Sequence, residues 1–315
     1  MATKETSHES EIINHKLRIR VPATTANLGP GFDCLGLALN WWNTIHVETI
    51  ARGLRVEVDC PPGVDIPRNR HNLVVYGIDL VYRRAGCKRP PLYIHTTTHI
   101  PIGSGLGSSS AAIVGGILAA NAMLGNPYSR REMVTLATRI EGHPDNVAPA
   151  LLGGLMVAAI DGKEVTIARF PVPRELRCVL FVPNVSLLTA KSRGVLPKRI
   201  PRADAIYNAG RVALWIAALR ERRWDWLDVA TQDRLHQPYR AKLVPGMYTL
   251  FEAARRAGAR GVALSGAGPS VIAFTDTHAE DIGRAMERAA ARIGLTGQSR
   301  VVSASARGAQ VTHIG

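Results

Sequence analysis

The segment that most constrains the fold of this chain is a run of glycine and serine at positions 101–111, PIGSGLGSSSA. It follows a segment with the pattern of a strand (91–100) and precedes an apolar segment with the pattern of a helix (111–124). Three glycines without a Cβ atom let such a loop turn tightly and bring its backbone close to a ligand: Gly103, Gly105 and Gly107.

The serines at the end of this run would open the helix, where unpaired N–H groups and the positive end of the helix dipole attract anions. The hydroxyl groups of Ser108, Ser109 and Ser110 could bind phosphate or help to hold its metal ion. A flexible linker is the alternative interpretation, but the helix that follows is apolar, whereas linkers stay polar. The run has neither the Gly-Lys-Ser/Thr ending of a Walker A loop nor the glycine spacing of a dinucleotide-binding loop. It therefore predicts a phosphate cradle of another kind.

The length of 315 residues favours two domains, and 46% hydrophobic with 20% charged residues is ordinary for a globular protein. A change in composition near residues 165–175 divides the chain into an N-terminal domain (16–170) and a C-terminal domain (171–315). Residues 1–15 are polar, lack the apolar core of a signal peptide and predict a flexible leader. The longest apolar run is too short to span a membrane. We expect a cytoplasmic protein with no membrane partner.

The net charge of +14 is compatible with a nucleic-acid-binding protein, an enzyme for anionic substrates or an arginine-rich surface. Nucleic-acid-binding modules concentrate charge on one face and add aromatic side chains for stacking. The arginines here are spread along predicted helices such as 211–223, and aromatic residues make up only 5% of the chain. We therefore expect no nucleic-acid partner.

A second glycine-rich loop, at 23–36, follows the predicted strand 16–22 and carries two polar side chains, Asn27 and Asp33. Most other residues of this loop are apolar, and polar side chains on loops commonly contact ligands. The pattern also fits turn residues that cap their own backbone. From the residues alone, both interpretations stay open.

A dense polar group, EGHPDNVAP at 141–149, follows a helix that would begin after the predicted N-cap Ser129. Glu141 could bind Mg²⁺, which prefers carboxylates together with phosphate oxygens. Asp145 could orient or deprotonate an attacking hydroxyl. Solvated charges in a capped loop are the alternative, but the density of polar side chains favours a functional site. The apolar residues that follow, 151–160, predict a buried strand.

The C-terminal part contains two further features. The turn LSGAGPS at 264–270 lies between two predicted strands and could close over a ligand together with the first cradle. The cluster DRLHQPYR at 233–240 ends in an arginine. Arg193 and Arg240 are candidates to bind a carboxylate, because the planar guanidinium group matches it in a bidentate manner. Surface arginines are the alternative in so basic a chain.

Together these segments resemble the GHMP kinases, the small-molecule kinases that include galactokinase, homoserine kinase, mevalonate kinase and phosphomevalonate kinase. The run 101–111 is similar to the phosphate-binding motif of this superfamily, and 264–270 is similar to its third motif. Residues 21–33, 141–150 and 236–240 resemble the homoserine kinases in particular. Several motifs in the right order are far more specific than one.

This resemblance implies the two-domain α+β fold of the GHMP kinases. The N-terminal domain would be ribosomal protein S5 domain 2-like, and the C-terminal domain would be ferredoxin-like. The resemblance also implies ATP and Mg²⁺ as cofactors and transfer of the γ-phosphoryl group to the side-chain hydroxyl of L-homoserine, on the route to threonine. A homodimer is a further expectation, because relatives are often dimeric.

The resemblance also implies the residues of the site. Those implied to bind the nucleotide are Asn72, Pro101, Ile102, Gly103, Ser104, Gly105, Leu106, Gly107, Ser108, Ser109 and Ser110. Those implied to surround homoserine are Asn27, Asp33, His143, Asp145, Thr189, Arg193 and Arg240. Ser109 and Glu141 would hold Mg²⁺, and with Asp145 they form the implied catalytic set. Three consecutive serines leave the choice of Ser109 ambiguous by one position.

Two other functions stay open at this point. Another kinase of the superfamily would act on a mevalonate-like or sugar alcohol, whereas an amino acid needs a partner for its ammonium group, which Asp33 could supply. An RNA-binding protein would use the positive charge, but Glu141 and Asp145 would repel phosphate without a metal ion. The role of Asp145 also stays open between general base and orienting group, with orientation as the preferred hypothesis.

Overall fold

The computed structural model describes residues 15–61, 64–187 and 189–314. Apart from residue 15, the predicted leader lies outside these residues. The described strands are β1 (Lys16–Ala26), β2 (Leu35–Thr49), β3 (Leu54–Asp59), β4 (Leu92–Thr97), β5 (Leu155–Asp161), β6 (Glu164–Phe170), β7 (Arg177–Pro183), β8 (Gly261–Leu264), β9 (Val271–Thr275), β10 (Gly297–Ser303) and β11 (Gln310–His313). The described α-helices are α1 (Leu73–Arg84), α2 (Ser108–Met123), α3 (Arg130–Glu141), α4 (Pro144–Leu152), α5 (Thr189–Gly194), α6 (Arg202–Glu221), α7 (Leu227–Ala230), α8 (Gln237–Arg240), α9 (Met247–Arg256) and α10 (Ala279–Arg292). Short 3₁₀ turns lie at Trp224–Trp226 and Ala241–Leu243.

A seven-stranded sheet forms the N-terminal domain, with five strands in the order β11-β1-β2-β4-β3 and the β5–β6 hairpin attached to β2. Along β1, Leu17, Ile19 and Val21 are buried, whereas the residues between them are exposed. This alternation gives the sheet one apolar face and one polar face. The helices α2 and α4 pack against the apolar face, and α1 and α3 pack on α2. The N-terminal end of α2 is thereby fixed on a rigid sheet.

The segment that follows α3 differs in part from the sequence prediction. Ser129 caps α3 as predicted, in a capping box with Glu132. Residues 144–152 form the helix α4, however, so the predicted strand 151–160 begins only at residue 155. Pro144 at the first turn of α4 costs no hydrogen bond, because its missing N–H would be unpaired there. The polar group therefore lies on a helix–helix junction and not in an extended loop.

The four strands of the second sheet are antiparallel and lie in the order β10-β7-β9-β8. In chain order they run strand, helices, strand, strand, helix, strand, which is the arrangement of a ferredoxin-like domain. One face packs against α9 and α10 through residues that include Phe181 and Val262. The other face, with Cys178 and Leu180, joins the core of the N-terminal domain. The predicted two-domain α+β fold is confirmed.

The C-terminal tail leaves the second domain. Its last strand, β11, pairs with β1, with Gln310 opposite Arg20. Residues 310–313 thus lie in the sheet of the N-terminal domain, although the predicted range 171–315 assigns them to the second domain. The physical reason is that β1 would otherwise be an open edge with unpaired backbone groups. None of the described helices combines the length and apolar character needed to cross a lipid bilayer.

Candidate active site

A cavity of about 330 Å³ lies between the two domains at the N-terminal end of α2. All but one of the predicted site residues line it: Asn27, Asp33, Asn72, Pro101, Ile102, Gly103, Ser104, Gly105, Leu106, Gly107, Ser108, Ser109, Glu141, His143, Asp145, Thr189, Arg193 and Arg240. The exception is Ser110, whose hydroxyl oxygen is buried and has no hydrogen-bond partner. Of the three serines, Ser108 and Ser109 therefore face the cavity.

The phosphate cradle consists of the loop before α2 and the first turn of that helix. Gly107 is the N-cap residue, with a left-handed φ of 70°, and no side chain caps the helix. The first intrahelical hydrogen bond runs from Ala111 N–H to the carbonyl of Gly107. The N–H groups of the preceding serines consequently have no helical partner and can bind an anion at the positive end of the dipole.

The glycines of the cradle are required by close packing as well as by backbone conformation. Gly105 has a φ of 80°, and a Cβ atom there would lie 2.2 Å from the carbonyl oxygen of Ser265. Ser265 Oγ donates a hydrogen bond of 2.8 Å to the carbonyl of Gly105. The second glycine-rich turn, 264–270, thus packs against the cradle, and Gly266 and Ala267 from it line the cavity.

The acidic side of the cavity is built where α3 ends and α4 begins. Gly142 ends α3 with a φ of 88°, and His143 is the extended N-cap residue of α4. This reversal directs Glu141 towards α2, where Ser109 Oγ donates a hydrogen bond of 2.8 Å to Glu141 Oε1. Mg²⁺ binds oxygen at about 2.0–2.1 Å in octahedral geometry, which separates neighbouring ligand oxygens by about 2.9 Å. The two oxygens therefore fit adjacent positions on one Mg²⁺ ion.

His143 and Asp145 form a buried pair beside this junction. The imidazole Nδ1 lies 2.5 Å from Asp145 Oδ1. Burial alone would lower the pKa of His143, but the hydrogen bond and the charge of Asp145 outweigh it and raise the pKa above the ordinary value. Asp145 is only 2% exposed, so the histidine holds its carboxylate in one orientation within the cavity.

Asn27 and Asp33 both have left-handed backbones, with φ of 67° and 59°. Asn27 Oδ1 accepts a hydrogen bond from the N–H of Asp33, and its Nδ2 donates to the carbonyl of Gly266. Asp33 receives two hydrogen bonds from Arg193, of 3.0 and 2.5 Å. Burial alone would lower the pKa of Arg193, but the Asp33 carboxylate outweighs it and raises that pKa. Asn27 thus braces the backbone of its own loop, whereas Asp33 presents to the cavity a carboxylate that is paired with Arg193.

Arg240 is 1% exposed and contacts the cavity from α8. Its Nη1 donates to the carbonyl of Gly266 and to His236 Nδ1, each over 3.1 Å. Because its side chain is buried, the surface alternative is wrong for this arginine. Among the described residues, no carboxylate lies within ion-pair distance of it. Burial, followed by the charge of Arg193, lowers the pKa of Arg240 to about 10, which leaves it charged at neutral pH.

Two predicted residues and one missed residue shape the ends of the cavity. Asn72 is the N-cap of α1, where its Oδ1 accepts from the N–H of Val74, and its Nδ2 donates to the carbonyl of Pro67. Thr189 is the first residue of α5. The sequence interpretation missed Asn43. Its Oδ1 accepts hydrogen bonds from the backbone N–H groups of His99 and Ile100, the two residues that precede the cradle. A polar residue at a buried strand position was the available signal.

A second missed feature is an apolar part of the cavity lining, called here the apolar compartment. Five side chains of the N-terminal domain line it: Ile45, Val58, Ile66, Leu73 and Val74. An apolar space beside an anion-binding helix end suits a ligand with one flat apolar part and one phosphorylated part. The cradle, the acidic junction and the two arginines of the cavity, Arg193 and Arg240, together define a phosphotransferase that joins a nucleotide and a small acceptor.

Comparison with protein families agrees with this class. Residues 72–154 match the family described as GHMP kinases N terminal domain, and residues 215–292 match GHMP kinases C terminal. The homoserine kinase of Carboxydothermus hydrogenoformans is 43% identical over 92% of this chain and 95% of its own. That of Moorella thermoacetica is 46% identical over 88% of this chain and 93% of its own.

Solved structures give the same result. A crystal structure of homoserine kinase from Cytophaga hutchinsonii matches with a TM-score of 0.86 at 29% identity, covering 99% of this chain and 100% of the other. A structure of putative homoserine kinase from Listeria monocytogenes matches with a TM-score of 0.77 at 32% identity, covering 95% and 100%. The chain belongs to the homoserine kinases of the GHMP superfamily, which confirms the resemblance of its motifs.

Proposed function

We propose that this protein transfers the γ-phosphoryl group of ATP to the side-chain hydroxyl of L-homoserine and releases O-phospho-L-homoserine. Family membership supports ATP as the phosphoryl donor. The observation that carries the choice of acceptor is the buried Arg240, a cation without a carboxylate partner among the described residues, in a cavity that is also lined by the carboxylate of Asp33. An α-amino acid brings both a carboxylate and an ammonium group, so it matches both charges.

The triphosphate is assigned to the cradle, and the base of the nucleotide to the apolar compartment beside α1. The N–H groups at the start of α2 would stabilise charge on the transferred phosphoryl group, and phosphoryl transfer depends mainly on such positioning and charge stabilisation. Ser109 and Glu141 are the residues assigned to Mg²⁺. When bound, this ion would neutralise charge on the phosphate oxygens.

Arg193 and Arg240 are assigned to the carboxylate of homoserine, and Asp33 to its ammonium group, with Asn27, Thr189 and His143 around them. Buried charges that lose their partner are costly, so this set would select a zwitterion over a neutral alcohol. Asp145 is assigned to the acceptor hydroxyl. Because His143 already binds one of its oxygens, Asp145 is held as an orienting group, and the hydroxyl proton would leave to phosphate or solvent.

The direct test is phosphate transfer from ATP to L-homoserine with and without Mg²⁺, followed as ADP release and as formation of the phosphorylated amino acid. Mevalonate and galactose serve as alternative acceptors in parallel reactions. The proposal expects Mg²⁺-dependent turnover that is fastest with homoserine by at least an order of magnitude. Comparable turnover with another alcohol, or none with homoserine, would overturn it.

A cytoplasmic location, a homodimer and the lack of a nucleic-acid partner stay predictions.

A further inference from the structure

The cluster 233–240 is only partly used by the proposed function, because only its last residue contacts the cavity. Two of its other side chains, those of Asp233 and Gln237, accept hydrogen bonds from backbone N–H groups. Asp233 accepts from the N–H groups of residues 235, 236 and 237, and so fixes the start of α8. Gln237 Oε1 accepts from the N–H of Leu264 and ties α8 to β8. The cluster therefore holds α8 in one place.

His236 links this helix to the N-terminal domain. Its ring is completely buried, and Nε2 lies 2.7 Å from the carbonyl oxygen of Gly29. A carbonyl can only accept, so Nε2 carries the hydrogen and Nδ1 keeps its lone pair. Arg240 Nη1 then donates to that Nδ1 over 3.1 Å. Both partners require the same neutral tautomer.

The charges around the ring agree with this assignment. The pKa of His236 is lowered, and burial is the largest cause. The positive charge of Arg240 lowers this pKa further, whereas the negative charge of Asp233 raises it but does not outweigh burial. The carboxylate oxygens of Asp233 are occupied by backbone N–H groups and by Asn208 Nδ2. The imidazole is therefore free to act as an acceptor for the guanidinium group.

We propose, resting on the function proposed above, that His236 is a positioning residue that aims Arg240 at the substrate carboxylate. It joins two parts of the acceptor site, since Gly29 belongs to the loop that carries Asn27 and Asp33. Phe32, in the same loop, supports the arrangement: its ring centre lies 5.4 Å from the His236 ring and 5.4 Å from the Arg240 guanidinium carbon. A hydrogen bond to a charged group contributes more than one between two neutral groups. Losing the acceptor at Nδ1 should therefore weaken substrate binding without touching the nucleotide.

Two substitutions test separately the two hydrogen bonds that the His236 ring makes with Gly29 and Arg240. His236→Gln places an amide N–H near the position of Nε2 and keeps the bond to Gly29, but offers no acceptor near Nδ1. His236→Asn places an amide oxygen near Nδ1 and keeps the bond to Arg240. We expect His236→Gln to raise KM for homoserine about tenfold or more, the equivalent of about 1.4 kcal/mol in binding free energy. His236→Asn should raise it less, and KM for ATP should stay within about twofold in both. Tyr239→Phe, on the same helix and outside the cavity lining, is the control.

A second arm shows whether His236 acts through Arg240. In an Arg240→Gln background, His236→Gln should cause no further rise in KM for homoserine, because residues that act as one unit are not additive. Independent rises, or folded variants with unchanged KM, would overturn the proposal. If neither variant folds, the ¹⁵N spectrum of the wild-type histidines decides: a neutral Nε2–H ring that shifts on addition of homoserine supports the proposal, and an Nδ1–H ring contradicts it. A wild-type enzyme that turns over no homoserine would instead refute the proposed function.

Discussion

Ser109 and Glu141 meet across the cavity, where the serine hydroxyl donates a hydrogen bond of 2.8 Å to the glutamate carboxylate. The two side chains come from opposite ends of their helices, because Ser109 lies in the first turn of α2 and Glu141 is the last residue of α3. The first turn of α2 attracts phosphate, and the carboxylate attracts a cation. Their contact is therefore the place where we propose that a metal ion would join phosphate to the protein.

Glu141→Gln should raise the Mg²⁺ concentration needed for half-maximal turnover by roughly tenfold or more, the equivalent of about 1.4 kcal/mol in metal affinity. The amide loses the negative charge that Mg²⁺ prefers. A magnesium titration of the initial rate measures the effect. Glu132→Gln is the matched control, since it removes a carboxylate from the first turn of the same helix, α3. Equal magnesium dependence in both variants would contradict the assignment.

Gly105→Ala should lower the free energy of unfolding by more than the roughly 1–3 kcal/mol expected for a left-handed backbone alone. The added Cβ would lie 2.2 Å from the Ser265 carbonyl oxygen. Gly53→Ala tests the backbone term separately, because Gly53 has nearly the same φ, 81° against 80°, and open space around it. Denaturant unfolding of the two variants gives the difference. If both variants lose similar free energy of unfolding, the close packing of Gly105 against Ser265 adds no measurable cost.

Asp145→Asn should lower kcat on the order of 10²-fold while nucleotide binding persists, because a misplaced nucleophile alone can cost that much. The orienting carboxylate is lost, but the cradle is untouched. Steady-state rates with homoserine and a nucleotide-binding titration measure the two effects. Asp161→Asn, in the exposed β5–β6 turn, should behave like the wild type. Unchanged turnover in Asp145→Asn would remove this residue from the site.

Arg240→Ala and Arg193→Ala should each raise KM for homoserine by roughly 10²-fold or more, because an unpaired buried carboxylate costs on the order of 2–5 kcal/mol. The two variants should differ in stability. Arg193→Ala leaves Asp33 without its bidentate partner, whereas Arg240 has no carboxylate partner among the described residues. Arg292→Ala, on the exposed side of α10, is the control. An unaltered KM would make the arginine concerned a structural residue.

The His143–Asp145 pair predicts a pH-dependent part of the stability. The folded-state pKa of His143 is raised above its ordinary value of 6.5. Its contribution is therefore complete below pH 6.5 and is lost as the pH rises through the higher folded-state pKa. Denaturant unfolding, measured from below pH 6.5 upwards, should show this loss of stability in the wild type but not in Asp145→Asn. The variant His71→Gln, which changes an exposed histidine, is the control and should behave like the wild type. Parallel profiles for all three proteins would contradict the pairing.

The sequence predicted the parts of the site that depend on local backbone chemistry. The glycine spacing in 103–107 and the serines after it located the start of α2, and Ser129 located the start of α3. Sequence reasoning failed where tertiary contacts decide. The helix α4 was not predicted, and its last residues were taken for the beginning of the strand 151–160, because its prolines and glycine neighbours resemble a turn.

Other features could not be read from the sequence because they depend on residues far apart in the chain. The pairing of β11 with β1 joins the two ends of the described chain. Ser110 faces the core although its two serine neighbours face the cavity, which follows from the helical rotation of about 100° per residue. The bond between Arg193 and Asp33 spans the two domains. Only the folded backbone shows that these predicted charges already pair with each other.

A crystal structure with a non-hydrolysable ATP analogue, Mg²⁺ and L-homoserine tests the proposed geometry most directly. We expect the triphosphate against residues 103–110, the metal ion between Ser109 and Glu141, and the acceptor hydroxyl beside Asp145. We also expect the homoserine carboxylate on Arg193 and Arg240. Triphosphate density anywhere else, or an acceptor bound away from Asp145, would contradict the proposal that the start of α2 holds the phosphoryl group for transfer.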